Sequence, residues 1–308
     1  MGWRILKVTL SLPTLLGFLL VAPGADASPR NPEVFGRRHK LHSPINETTA
    51  NLIRGFIDHV SAVGGAADPT YFAFHGAEAT PEGYYGFIAS LDVYGFPDLK
   101  QGQGTAGSVW VVDEGNGAQA NAKAIIIGWN DDGFTKTGCL NTKCAGFQPE
   151  KGAAIAPGDV IQNVSPPKGG GNKQNLNLKV VKQGGASGDW VVHAGLNREP
   201  APIGRFPRSL FTGGFAEKAA AVRFGGMVTA PAADNPPAPM GSGYLPGASA
   251  ASVTGVQLVG PDGRASPVTS DLPKLESRPE AYAVSPVENG SFFYGGPAKA
   301  PTARGVIN

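Results

Sequence analysis

Residues 84–94 read YYGFIASLDVY, and their period decides the class of fold. Tyr85, Phe87, Ala89, Leu91 and Val93 alternate with Tyr84, Gly86, Ile88, Ser90 and Asp92. A period of two belongs to a strand, and bulk on both faces suits a strand held between two layers. Similar segments follow at 108–114 (SVWVVDE), 122–129 (AKAIIIGW), 176–182 (LNLKVVK), 189–195 (DWVVHAG), 221–228 (AVRFGGMV), 253–260 (VTGVQLVG), 282–285 (YAVS) and 291–296 (SFFYGG). The 44 glycines and 27 prolines interrupt the chain too often for long helices. SLFTGGFAEKAAAV (209–222) has room for one short helix, around 215–222. The expected class is an all-β sandwich with one or two helical insertions.

The N-terminal quarter differs. Arg4 and Lys7 precede a short apolar run, TLSLPTLLGFLLVAP, and Ala25-Asp26-Ala27 has the small-x-small form of a signal peptidase site. The run is too short for a membrane span and lacks a stop-transfer pattern, so residues 1–27 are read as a cleaved leader. The expected mature chain is secreted and extracellular, with no membrane partner. Residues 28–75 form a short segment holding one amphipathic helix, NETTANLIRGFIDHVSA, whose Leu52, Ile53, Phe56, Ile57 and Val60 share a face. The remaining 76–308 form the β domain. A net charge of +2 gives no electrostatic case for nucleic acid.

An oxidising destination bears on the two cysteines, Cys139 and Cys144, in TGCLNTKCAGFQ. Two near neighbours in that environment pair as a disulfide. A metal site would need further ligands nearby, and a redox site more often reads C-x-x-C. Closing so short a loop stabilises by only ~2 kcal/mol, so the staple shapes a loop more than it holds the fold. Sequons at Asn46, Asn163 and Asn289 fit secretion, although Pro166 weakens the second.

Familiar catalytic and cofactor patterns are missing. Gly102-Gln-Gly104-Thr-Ala-Gly107 matches a dinucleotide fingerprint, but a strand follows where a helix is required, so it reads as a flexible connection. There is no G-x-S-x-G elbow and no paired-histidine zinc pattern. His75 and His193 are read as hydrogen-bonded structural histidines. No cofactor or metal is expected.

Several rare strings nevertheless occur in order: YYGFIASLDVY, IIIGW, TGCLNTKCAGFQ, IGRFPRSLF (203–211), RFGGMV (223–228), PMGSGYLP (239–246) and FFYGGP (292–297). Together they resemble the neprosin family, secreted glutamic peptidases known mainly from plants, from about Tyr84 to Pro297. The resemblance implies a sandwich of two bent antiparallel sheets and a cleft with two catalytic glutamates. One belongs in a pattern like I-E-A-G-W, the other in W-G-G-E-V. One carboxylate would activate water while the other, protonated, polarises the scissile carbonyl.

This chain departs from the pattern at both places. Ile126 stands at the first glutamate position and Met227 at the second. Neither can transfer a proton. Period two puts Ala124, Ile126 and Gly128 on one face, and Arg223, Gly225 and Met227 on another strand's face. Asp113, Glu114, Asp131 and Asp132 are out of register for the vacated roles. No catalytic residue is therefore assigned. The expected cleft lining is Ala124, Ile126, Gly128, Trp129, Gly225 and Met227. The expected function is a secreted, catalytically inactive peptidase homologue binding extended or proline-containing peptides or cell-wall proteins in the apoplast or wall. The alternatives are an acid endopeptidase using other residues and a purely structural extracellular protein.

Overall fold

The computed structural model describes residues 70–100, 102–113, 123–131, 146–166, 172–231 and 237–297, and the backbone of a strand at 14–20. In chain order the strands are β1 (Thr14–Leu20), β2 (Thr70–Ala77), β3 (Gly86–Asp92), β4 (Gly104–Asp113), β5 (Lys123–Asp131), β6 (Gln148–Pro149), β7 (Val160–Ile161) and β8 (Asn175–Gln183). They continue as β9 (Asp189–Leu196), β10 (Ala201–Phe206), β11 (Ala221–Thr229), β12 (Met240–Gly241), β13 (Ala251–Val259), β14 (Ala265–Pro267), β15 (Lys274–Glu276), β16 (Ala283–Val284) and β17 (Phe292–Gly296).

Among the described residues these form two antiparallel sheets. One runs β15-β2-β11-β4-β5-β1-β7. The other runs β12-β17-β13-β3-β8-β9-β10-β6, with β14 on β13 and β16 on β17. The all-β sandwich is thus the observed architecture. The alternation explains which face each strand buries. Phe87, Ala89 and Leu91 of β3 meet Val109, Val111, Ile125, Ile127, Val222 and Phe224 of the other sheet in one core between the layers. Phe87 and Phe224 touch edge to face at 5.8 Å across that gap.

Three local expectations change. β2 crosses the boundary drawn at residue 75 and lies inside the first sheet, between β15 and β11, so the sheet begins at Thr70. Gly104 and Gly107 sit within β4 and not in a flexible connection. Around 215–222 a single 3-10 turn, Gly213–Ala216, precedes β11. The helix expected over residues 46–62, Cys139, Cys144 and Asn46 lie outside the described residues.

Candidate functional site

The strands β2, β11, β4 and β5 present one face to the inter-sheet core and the other away from it. On the outward face the register aligns three rows. Ile126, Trp110, Arg223 and Gly76 make the first. Gly128, Ser108, Gly225 and Phe74 make the second, and Asn130, Ala106, Met227 and Phe72 the third. Rows on one face lie about 6.7 Å apart, because side chains alternate at about 3.3 Å per residue.

In the middle row the neighbouring backbones approach too closely for side chains at the glycines. A Cβ on Gly128 would come within 2.0 Å of the Gly107 carbonyl oxygen, and one on Gly225 within 2.1 Å of that of Ala73. Gly225 also has a φ of 154°, which a side chain disfavours. The row Gly128–Ser108–Gly225 therefore carries the smallest side chains of this face and is itself buried; this row, called the trough below, has Ile126 on one bank and Met227 on the other. They are offset by four residues along β4 and by two strand spacings across it. Regular sheet geometry then puts their Cα atoms about 16 Å apart.

Aromatic side chains crowd this face. The Trp110 indole Nε1 donates to Ser108 Oγ at 2.9 Å, so the ring reaches over the middle row. Phe74 packs on it at 5.4 Å, and Phe72 on Phe74 at 6.0 Å. With Val112, Ala124, Ala221 and Leu275 they form a second apolar cluster, separate from the inter-sheet core. Ile126 and Met227 lie against that cluster and are partly exposed. Among the described residues of these rows the one charged side chain is Arg223, which is buried. Asp113 and Asp131 belong to the alternate rows. Asp131 is buried and accepts the Phe96 N–H at 2.9 Å. Glu114 and Asp132 are outside the described residues.

The family model for Neprosin matches residues 105–297, more than half of the chain. The chain belongs to the neprosin family. No curated protein matches it. The neprosin match spans β4, β5 and β11, the three strands that carry the trough. It relates the protein to a family of peptidases. On the motifs quoted above, Ile126 and Met227 stand at the two positions where the resemblance calls for glutamate.

The remaining site residues fall as follows. Ala124, Ile126, Gly128, Gly225 and Met227 share the outward face, but Trp129 does not. It lies among the core residues, 1% exposed, with Nε1 donating to the Asp92 carbonyl at 2.8 Å. The same Asp92 anchors the second sheet. Its carboxylate accepts from Lys173 Nζ at 2.6 Å and from Ser252 N and Oγ, each at 2.8 Å. Phe72 and Phe74 escaped the sequence reading because the domain was started after them. A tight β-type alternation, Tyr71-Phe72-Ala73-Phe74-His75, was the available signal.

His75 is buried, with Nδ1 2.8 Å from the Leu272 carbonyl oxygen and Nε2 2.7 Å from that of Ser285. Burial lowers its pKa and outweighs the two carbonyls that favour the charged ring. His193 is lowered by burial and then by the Lys179 charge. It lines a groove of 690 Å³ with Lys179, Arg205 and Pro202, on the outer face of the other sheet and away from the trough. Asn289 is exposed at a tight turn with φ 49°. At the second sequon Ser165 is fully buried, and its Oγ donates to the Gln174 carbonyl at 3.3 Å. Among the described residues no group of three His, Cys, Asp or Glu side chains is placed to hold a metal ion.

Proposed function

We propose that this protein is a secreted neprosin homologue without peptidase activity, whose outward trough holds extended or proline-containing peptides. The observation that carries the reading is the pair of banks. Where the resemblance requires a base and an acid, the rows offer Ile126 and Met227; the described carboxylate of Glu78 lies by Gly76 at the far end of the first row, on β2, three strands from Ile126. Peptide hydrolysis through a water needs a group to accept its proton and another to donate one to the leaving amine. Loss of both slows the reaction by at least ~10⁴-fold. The partly exposed Ile126 and Met227, either side of a glycine row, still present an apolar strip that an extended chain can cross.

The leader and the C-x₄-C pair support secretion and a Cys139–Cys144 disulfide. Intact mass before and after reduction and alkylation of the secreted protein tests the pairing, and free thiols would refute it. The function is tested by incubating the purified protein with a proline-rich peptide library from acid to neutral pH, then measuring binding of the same peptides by calorimetry. Binding without cleavage, weakened by Met227→Lys, is expected. Turnover that survives purification and vanishes on replacing one carboxylate elsewhere would establish an active acid peptidase.

A scaffold role has its own support. Phe72, Phe74 and Trp110 are each at most 1% exposed, so much of the face is already packed. Absence of any peptide binding by a fully folded protein would decide for that reading.

A further inference from the structure

The first sheet has a place whose occupant the sequence marks for removal. β1 pairs antiparallel with β5 over six residues, from Leu15 opposite Asn130 to Leu20 opposite Ile125. Its other edge pairs with β7 through Thr14–Ile161 and Leu15–Val160. β1 thus fills a one-strand slot between β5 and β7. Yet Thr14–Leu20 falls in the apolar run before Ala25-Asp26-Ala27, the segment read as a cleaved leader. Without β1, β5 and β7 stand about 9.6 Å apart, two strand spacings, with unpaired backbone donors and acceptors facing the gap.

β5 has none of the usual protection of an open edge. It runs KAIIIGWND, with no proline, and its charges are confined to Lys123, at one end, and Asp131, at the other. Its core-side residues Ile125, Ile127 and Trp129 are buried, as is Ile161 of β7. A slot of this kind takes an extended segment by strand addition: main-chain bonds supply affinity and alternate side chains supply selectivity.

We infer that the secreted protein takes up an extended peptide of a partner protein as an added strand between β5 and β7. The ligand runs antiparallel to β5, spans at least six residues, and carries apolar side chains opposite Ile125, Ile127 and Trp129. The seated strand fixes that register: Leu20, Phe18 and Leu16 stand opposite these three residues. The slot is distinct from the trough, and it rests on removal of the leader and not on the trough binding peptides.

The test uses the secreted chain, its N-terminus read by mass spectrometry. The probe is a synthetic peptide of residues 14–20 with a lysine tail for solubility and a fluorophore. The expected result is saturable 1:1 binding, with new amide-exchange protection confined to β5 and β7. A control peptide carrying Leu16→Asp and Phe18→Asp places carboxylates opposite Trp129 and Ile127, and should bind at least ~10-fold more weakly. Retention of residues 14–20 by the secreted chain would overturn the inference, because the slot never opens. So would β5 amides already protected, with no peptide uptake, because another part of the chain then fills the slot. Protection on β4 and β11 instead would refute the slot while supporting peptide binding in the trough.

Discussion

Restoring both carboxylates, by Ile126→Glu with Met227→Glu, tests the trough most directly. Each change removes part of an apolar contact with the Trp110–Phe72–Phe74 cluster and places a carboxylate beside it. Full burial of an Ile or Met stabilises by roughly 1.5–3 kcal/mol, so these partly exposed positions contribute about 1 kcal/mol each. Partial desolvation of the ionised carboxylates adds about 1 kcal/mol per site, by the rule that burial disfavours the charged form. Mutual repulsion is the smaller contribution. With Cα atoms about 16 Å apart and each side chain reaching about 4 Å, the charges remain about 8 Å apart, near a Debye length, where repulsion is screened. The double variant should therefore lose about 3–4 kcal/mol at neutral pH, or roughly 5–6 °C in thermal midpoint for a chain of this size. Both introduced glutamates should titrate above their unfolded value near 4.3. The ionisation penalty is then full above the folded pKa and fades as pH falls through it, leaving about 2 kcal/mol of lost packing below pH 4. Differential scanning fluorimetry at pH 7 and pH 3.5, beside a peptide-cleavage assay, reads both effects. The double variant should regain acid-dependent cleavage, and either single variant should regain little, because one carboxyl cannot act as both base and acid. An equal midpoint loss at both pH values would refute the placement of these side chains on the apolar face. Full activity from a single variant would refute the pairing of roles.

Three further outcomes follow from the packing behind the trough. Gly107→Ala would put a methyl within 2.5 Å of Tyr294 Oη and 2.6 Å of Trp129 Nε1, so chemical denaturation should show a loss of at least ~2 kcal/mol. Asp92→Ala should cost about 3 kcal/mol, because Lys173 and both Ser252 donors lose their acceptor; a loss below about 1 kcal/mol in urea titration would mean water replaces the carboxylate. His75 and His193 have lowered pKa values, so their stabilisation is present above pH 6.5 and lost as pH falls below it. Thermal midpoints of His75→Gln against the parent should converge as pH falls from 7.5 to 5, and a gap that widens would reverse the sign assigned to His75.

Much of the fold was legible because the long strands turn one face to the inter-sheet core and announce themselves by period two. The site was legible in one dimension. Strand parity alone placed Ile126 beside Gly128, and Met227 beside Gly225. The same parity separates Trp129 from Ile126, but grouping by motif adjacency obscured this, since adjacent strand residues point to opposite faces. Cross-strand relations were not legible. Trp110 opposite Ile126, and Phe72 beside Met227, depend on registers that join distant segments, and no local pattern encodes those registers. The slot between β5 and β7 was hidden for the same reason: it is a property of strand order.

The cross-strand arrangement also separates stability from chemistry at this site. An acid pair on the banks would sit against buried tryptophan and phenylalanine rings, where ionisation is unfavourable. Isoleucine and methionine remove that cost and extend the apolar cluster, while the glycine row beneath them is unchanged. The groups that would move protons are thus not the groups that hold the sheet together. A variant can therefore gain catalysis while losing stability, or lose peptide binding while keeping its midpoint, and each readout reports on a different part of the trough.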